Sequence, residues 1–332
     1  MTKKVLVTDY VWTSVDPERA VLARADTELV LAPDGEEETL IELARQADGI
    51  LTCFAKVTEN VIKAASQCVV IGRYGVGVDN IAVDSATDRG IVVTYVPDYC
   101  IDEVSDHVMA LLLSWNRRIS LFDNATKSEG WGAKGLGMRI MRLRGKKLGV
   151  VGFGRIGQSV CAKARAFGFD VLAHDPLISK DMASRHGAAL VDFNIMLRES
   201  DFITLHLPLL PQTRHIIGEA ELKQMKPDTF IINAARGGLI DEDALYHSLA
   251  TGEIAGAGLD VVEDAIPPLN HRLIQLENVI VTPHTAFFSQ EAVLELEERA
   301  AGEVARVLSG ELPENIVNPE VLSHSRATLP SP

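Results

Sequence analysis

A glycine-rich turn lies in the middle of the chain rather than near its beginning. The stretch LGVVGFGRIGQSV places Gly152, Gly154 and Gly157 in G-x-G-x-x-G spacing, after an apolar strand-like run and before a helical pattern. In such a turn the first glycine allows a sharp bend, the second lets a pyrophosphate approach the backbone, and the third packs the helix on the strand. The spacing therefore predicts a dinucleotide-binding βαβ unit in the middle of the chain.

The next strand-like run supports this interpretation. In FDVLAHDP the strand-like run ends at Asp175, which lies 18 residues after Gly157. A carboxylate there accepts hydrogen bonds from the adenosine ribose hydroxyls and repels a 2′-phosphate, which favours NAD over NADP. The alternative is an ordinary glycine-rich turn followed by an aspartate that caps a helix.

Apolar, β-branched runs alternate with helical patterns on both sides of this motif. KVLVTD, GILTCF, CVVIGRYG and GIVVTYV precede it, and about six further strand-like runs begin at the motif's own strand. Continuous apolar strands separated by helices predict α/β architecture with parallel sheets covered on both faces. The 332 residues exceed what one core usually takes, so two domains are expected. Helices are predicted near 101–118 and 289–309, and the polar tail after Val321 is predicted to fray.

Composition excludes several classes of partner. A formal net charge of −14 argues against a general nucleic-acid binder or a binder of anionic membranes. No apolar run reaches the length of a bilayer span, and the first ten residues show no signal-peptide pattern. The four cysteines have no paired spacing, which predicts a cytoplasmic protein and no metal site.

Three polar side chains follow strands of the second half of the chain. Arg236 follows FIINAA, Asp260 follows GAGL and His284 follows NVIVTP. Ligands bind at the carboxyl ends of strands in such sheets, where an arginine grips a carboxylate and a histidine exchanges protons near neutral pH. A surface arginine, a capping aspartate and a loop histidine are the alternatives taken singly. Their occurrence at three successive strand ends predicts a site for an anionic ligand.

Six motifs together resemble the D-2-hydroxyacid dehydrogenase family, in its branch similar to phosphoglycerate dehydrogenase and the C-terminal-binding proteins. The motifs are RYGVGVDNI (73–81), VPDYCIDEVSDH (96–107), GVVGFGRIGQ (149–158), NAARGGLID (233–241), GLDVVED (258–264) and TPHTAFFSQEA (282–292). The resemblance implies two Rossmann-like domains, with an NAD-binding domain (101–288) inserted in a flavodoxin-like substrate-binding domain (1–100 and 289–332). It also implies a homodimer built on the NAD-binding domains.

The resemblance implies a role for each matching residue. Arg236 would hold the substrate carboxylate and carbonyl oxygen, and His284 would be the general acid and base. The implied substrate contacts are Arg73, the backbone at Val76 and Gly77, and Phe287, which closes the pocket. The implied NAD contacts are Gly152, Gly154, Arg155, Ile156, Gly157, Asp175, Pro208, Ala234, Arg236, Asp260 and His284. Lys56 is a further candidate for a distal acidic group of the substrate, with a solvated turn lysine as the alternative.

One departure from the family pattern bears on mechanism. The family has a glutamate five positions after Asp260, and this chain has Ala265 there. That glutamate raises the pKa of the histidine, and without it His284 is expected to titrate near the ordinary value of about 6.5. Three explanations stay open: Glu263 or Asp264 replaces it, His284 works alone with a lower pH optimum for reduction, or the pocket has changed or lost its chemistry.

The main hypothesis is an NAD-dependent oxidoreductase that acts on a small D-2-hydroxy acid or its 2-oxo acid. One alternative is an NAD(H)-sensing scaffold with little turnover, in keeping with Ala265 and the C-terminal-binding-protein resemblance. Another is a different NAD-dependent reaction on an acidic substrate.

Overall fold

The computed structural model describes residues 2–131, 140–264 and 267–330. The strands in this part of the chain are β1 Lys3–Val7, β2 Thr27–Leu31, β3 Gly49–Thr52, β4 Val70–Arg73, β5 Val92–Thr94, β6 Lys147–Val151, β7 Asp170–His174, β8 Ala188–Leu190, β9 Phe202–Leu205, β10 Phe230–Asn233, β11 Gly256–Leu259 and β12 Val279–Val281. The helices are α1 Asp16–Leu22, α2 Glu37–Ala44, α3 Glu59–Ala64, α4 Val83–Asp88, α5 Ile101–Arg117, α6 Ile119–Glu129, α7 Arg155–Ala166, α8 Lys180–Arg185, α9 Phe193–Glu199, α10 Glu219–Leu222, α11 Glu242–Thr251 and α12 Gln290–Leu308.

Two compact units form along the chain. One combines Met1–Tyr99 with Ser289–Pro332, and the other is Cys100–Phe288. Within the described residues, the first unit has a five-stranded sheet in the order β2-β1-β3-β4-β5, and the second has a seven-stranded sheet in the order β12-β11-β10-β9-β6-β7-β8. Every pairing in both sheets is parallel. The first order is that of flavodoxin and the second extends the Rossmann order, so the fold class expected from the sequence is confirmed.

Burial explains why the strands are apolar along their whole length. In the first unit β3, β4 and β5 are buried at every position, and β9, β10 and β11 are buried at every position in the second. The second sheet has one core on each face, which is the arrangement that continuous apolar strands require. Both cores depend on helices that cross over between parallel strands.

The two long helices expected from the sequence are present, whereas some shorter elements were not expected. The long helices predicted near 101–118 and 289–309 are α5 and α12. The short strand β8 and the helix α6 lack a clear sequence signal, because β8 has only three residues and α6 buries only Ala125. Within the described residues, no helix is both long and apolar enough to cross a membrane.

The expected fraying of the C-terminal tail is wrong as far as Arg326. The Arg326 amide donates to the Gly90 carbonyl at 2.8 Å. Its guanidinium Nη1 also donates to three carbonyl oxygens near the start of β4, at 3.1–3.2 Å. One arginine thus binds several backbone carbonyls and ties the tail to the rest of the unit, a local effect that overall polarity does not reveal.

A pair of buried carboxyl groups lies between α1 and α12. Glu18 is fully buried, and its Oε1 accepts from Trp12 Nε1 at 3.2 Å and from the Tyr74 hydroxyl at 3.0 Å. Glu297 is 5% exposed. Burial, and then the neighbouring Glu18 carboxyl, raise the pKa of Glu297 to about 8, and burial also raises the pKa of Glu18. The pair therefore retains a proton at neutral pH.

Candidate active site

The glycine-rich turn joins β6 to α7 through contacts that leave no room for side chains. Gly152 has φ +87°, and a Cβ on it would lie 2.5 Å from the His206 carbonyl oxygen. A Cβ on Gly157 would lie 2.3 Å from the Gly152 carbonyl oxygen. By contrast, a Cβ on Gly154, the N-cap of α7, would meet nothing within 4 Å. Open space thus lies beside a helix N-terminus, where backbone amides and the helix dipole favour a pyrophosphate.

Asp175 lies immediately after β7, the strand beside β6. Its Oδ2 accepts from the Phe153 amide at 2.8 Å, and its Oδ1 accepts from the Leu177 amide at 2.8 Å. These two bonds fix the carboxylate against the glycine-rich turn. Each oxygen has a further lone pair, so ribose hydroxyls can still bind there.

The other residues expected at the cofactor lie around the same edge of the sheet. Arg155 and Ile156 form the first turn of α7, Pro208 is exposed after β9, and Ala234 is half-buried after β10. His206, directly after β9, bonds Thr204 Oγ1 through Nε2 at 3.0 Å. Burial lowers the pKa of His206 to about 4, so this imidazole is neutral at physiological pH.

The three candidate chemical groups follow three adjacent strands of the same sheet. Arg236 comes shortly after β10, Asp260 directly after β11 and His284 shortly after β12. Because the strands are parallel, these side chains leave the same edge as the glycine-rich turn and Asp175. The structure therefore brings the sequence-predicted groups of this unit to one edge.

Asp260 binds the loop that carries His284. Its Oδ1 accepts from the Thr282 hydroxyl at 2.6 Å and the Thr285 amide at 2.9 Å, and its Oδ2 accepts from the Ala286 amide at 2.9 Å. Its backbone carbonyl accepts from the His284 amide at 2.9 Å. The Asp260 side chain is buried, so these bonds lie in a poorly solvated region where they are strong. The described contacts thus give Asp260 a positioning role, and its bond to the nicotinamide stays a prediction.

His284 has an unusual backbone conformation. Its φ is +54°, in the left-handed region that non-glycine residues seldom occupy. Its ring lies 6.2 Å from the Phe287 ring in an edge-on arrangement. Such strain is typical of residues that the surrounding structure holds for a function. Phe287 is buried, and its expected role in closing a substrate pocket stays a prediction.

Two histidines with no sequence signal prove to be part of this region. His107, on α5, places Nε2 2.9 Å from Thr282 Oγ1 and 3.6 Å from Asp260 Oδ1. His215 places Nε2 2.8 Å from Glu263 Oε1. In each case the contact joins residues far apart in the sequence, so no local pattern could have predicted it.

Ala265, which stands at the position of the missing family glutamate, lies outside the described residues, as does Ile266. The preceding Glu263 is described. Its Oε1 accepts from Arg214 Nη2 and contacts His215 Nε2, both at 2.8 Å. A carboxylate already shared by two side chains is a weaker candidate for the partner of His284. Replacement by Asp264 stays a prediction.

In the first unit, the expected substrate contacts lie after adjacent strands. Arg73 is the buried last residue of β4, and a Cβ on Gly75 would lie 2.3 Å from its guanidinium Nη1. Val76 and Gly77 follow this turn. Lys56 is exposed on the loop after the neighbouring strand β3.

The loop after β3 is held in one conformation by two polar side chains. Asp9 accepts from the amides of Cys53 at 3.0 Å and Phe54 at 2.7 Å. Asn80 Nδ2 donates to the carbonyls of Cys53 at 3.2 Å and Ala55 at 2.9 Å. Lys56 is therefore presented by a loop that is fixed at its backbone.

The second unit has the features of a dinucleotide-dependent oxidoreductase. A glycine-rich turn suited to a pyrophosphate, a carboxylate suited to ribose hydroxyls, and an arginine and a histidine shortly after neighbouring strands occur together at one edge of a parallel sheet. This combination is specific, because each part suits a different portion of a cofactor–acid pair.

Comparison with known proteins places the chain in a family. Residues 109–286 match the family described as D-isomer specific 2-hydroxyacid dehydrogenase, NAD binding domain. The chain is 42% identical to D-3-phosphoglycerate dehydrogenase of Methanocaldococcus jannaschii over 317 residues, covering 95% of this chain and 59% of the relative. It is 40% identical to glyoxylate reductase of Thermococcus litoralis over 292 residues, covering 86% of this chain and 88% of the relative.

The solved structures agree. A D-lactate dehydrogenase from Aquifex aeolicus, complexed with NAD and lactic acid, matches with a TM-score of 0.85 and 27% identity, covering 99% of this chain and 100% of that one. The chain thus belongs to the D-2-hydroxyacid dehydrogenase family, and its cofactor is NAD. It spans about three fifths of the length of the phosphoglycerate dehydrogenase relative.

Proposed function

We propose that the protein transfers a hydride between NAD and C2 of a small D-2-hydroxy acid or 2-oxo acid. The observation that carries this proposal is the exit of Arg236, Asp260 and His284 from three adjacent strands, at the edge that also bears the glycine-rich turn and Asp175. Family membership supports the reaction class.

The roles of the residues follow from their chemistry. Bound NADH supplies the hydride. The Arg236 guanidinium has the planar geometry to bind the substrate carboxylate through two parallel hydrogen bonds and to orient C2. The His284 imidazolium gives a proton to the carbonyl oxygen during reduction, and the neutral imidazole takes a proton from the hydroxyl during oxidation. Asp260 positions His284 through the bonds to the loop 282–286.

Contacts from the first unit complete the proposal. Arg73 and the backbone at Val76 and Gly77 would also bind the acid. Lys56 would meet a distal anionic group where the substrate has one, and its fixed loop supports that role. A substrate that bears a second acidic group would then bind better than glyoxylate or pyruvate.

The test is turnover of purified full-length protein with NADH and a panel of 2-oxo acids, with and without a distal phosphate, from pH 5 to 9. Arg236→Lys keeps the positive charge but loses the pair of parallel hydrogen bonds that a guanidinium gives to a carboxylate, and we expect kcat/KM to fall about 100-fold. Ala265→Glu should extend the reductive activity toward pH 8 if position 265 lies beside His284. Absence of turnover with every acid at every pH would reject the proposal.

A second candidate function is an NAD(H)-binding scaffold with little turnover. Two observations favour it: Ala265 replaces the family glutamate, and Glu263 is bound by Arg214 and His215. Tight NADH binding without turnover would support this function. Turnover that depends on Arg236 would reject it.

We also propose a homodimer through the NAD-binding unit. Ile119 and Leu121 on α6 are exposed, and Trp131 is 81% exposed. We propose that these exposed apolar side chains are covered by a second copy of the chain in the dimer. Light scattering should give twice the chain mass, and Ile119→Glu should reduce it. The cytoplasmic location expected from the sequence stays a prediction.

A further inference from the structure

The turns after β10 and β11 contact each other through their backbones. A Cβ placed on Gly237 would lie 2.0 Å from the Val262 carbonyl carbon and 2.4 Å from the Glu263 amide nitrogen. Gly237 directly follows Arg236. The position of the Arg236 turn therefore depends on where the Val262–Glu263 backbone lies.

The Glu263 side chain ties this backbone to a third segment. Its Oε1 accepts from Arg214 Nη2 and contacts His215 Nε2, both at 2.8 Å. The other ring nitrogen of His215 lies 3.9 Å from Asp241 Oδ2. The Glu263 side chain is about one-third exposed. Its carboxylate therefore contacts Arg214 and His215 in a place that is partly shielded from water.

The same third segment binds the turn that follows Arg236. The His215 amide donates to the Gly238 carbonyl at 2.8 Å, and the Ile217 amide donates to the Leu239 carbonyl at 3.1 Å. His215 thus contacts Glu263 through its ring and Gly238 through its backbone. Its φ is +52°, in the left-handed region that non-glycine residues seldom occupy.

The backbone of Glu263 is held as well. Its amide donates to Glu242 Oε1 at 2.6 Å, and Glu242 Oε2 lies 3.2 Å from His271 Nε2. Both Glu242 and His271 are mostly buried. We call the set Glu263, Arg214, His215 and Glu242 the Glu263 clamp.

We propose that Glu263 is a positioning residue for Arg236, which it fixes through the Glu263 clamp. The inference rests on the proposed function, in which Arg236 binds the substrate carboxylate. Glu263 acts on the reaction through the position of the Arg236 turn and does not exchange the substrate proton. Its loss should therefore weaken binding of the acid more than it slows the chemical step.

The experiment compares Glu263→Ala and Glu263→Gln with the control Glu219→Ala in the full-length protein. Glu219 is an exposed glutamate of the same unit that pairs with Lys223, outside the clamp. We expect the KM for the 2-oxo acid to rise about tenfold in Glu263→Ala, with kcat and the NADH dissociation constant changing less than about threefold, as the loss of one charged hydrogen-bonded contact predicts. Glu263→Gln should show a smaller rise, because its amide oxygen still accepts one bond.

Amide hydrogen exchange gives a readout that does not require turnover. The His215 and Ile217 amides, which bind the turn after Arg236, should exchange faster in Glu263→Ala and at the wild-type rate in Glu219→Ala. Unchanged exchange at these amides, or kcat falling with KM constant, overturns the proposal. If the wild-type protein reduces none of the acids, the proposed function fails, and the exchange rates still decide whether Glu263 holds the turn.

Discussion

Replacement of Glu297 by glutamine should remove a pH dependence of stability that originates between α1 and α12. In the folded protein the pKa of Glu297 is about 8, against an ordinary value of 4.5. The protonated carboxyl is therefore favoured by folding. The stability it contributes is fully present below pH 4.5 and is lost as the pH rises through 8.

The size of the effect follows from the two pKa values. A difference of about 3.5 pKa units, at about 1.4 kcal/mol per unit, sets an upper bound of about 5 kcal/mol on the loss. Glu18 titrates with Glu297 and shares the proton, so removal of one carboxylate relieves the repulsion on both. We expect the free energy of unfolding of Glu297→Gln to exceed that of the wild type by about 2–5 kcal/mol at pH 9, and the two values to differ much less at pH 5.

Urea unfolding at unit intervals from pH 5 to 9 measures this difference. Trp12 donates to Glu18, so its fluorescence reports on the same region. Glu291→Gln is the matched control, because it removes an exposed glutamate charge from the same helix α12. Parallel stability curves for wild type and Glu297→Gln across this range would refute the reasoning.

Three further predictions concern the NAD-binding unit. Asp175→Ser should lower the affinity for NADH and reduce the preference for NADH over NADPH, because it removes a carboxylate that would repel a 2′-phosphate. Fluorescence titration with both cofactors measures this. Asp260→Asn should lower the free energy of unfolding by about 2–4 kcal/mol and reduce kcat, since the amide cannot accept at both side-chain atoms; chemical unfolding and kinetics at saturating substrate test it. Gly157→Ala should abolish NADH binding at temperatures where the protein stays folded, because the new methyl would lie 2.3 Å from the Gly152 carbonyl oxygen; calorimetric titration with a circular dichroism control checks it.

The parts of the structure that repeat along the chain could be predicted from the sequence. Continuous apolar runs identified most of the strands, though not β2 and β8, and the spacing at Gly152 and Asp175 identified the cofactor unit. The positions of Arg236, Asp260 and His284 at adjacent strand ends also followed, because parallel strands in one sheet share an edge.

Contacts between distant residues could not be predicted. His107 meets Thr282 across 175 positions of sequence, and Arg326 binds carbonyls about 260 positions away. Neither contact has a periodic signal, because each depends on the three-dimensional arrangement of loops and not on the burial of one face. The contacts of Glu263 with Arg214 and His215 likewise join residues that are far apart in the sequence.

The positive φ of His284 limits what evolution or an experimenter can place there. Asparagine adopts left-handed backbone readily, whereas branched residues such as valine or isoleucine are strongly disfavoured. His284→Asn would remove the group that exchanges the proton but would keep the backbone conformation. A loss of activity in this variant would therefore be due to the missing proton transfer. A branched replacement would shift the loop as well, and its kinetics would mix two causes.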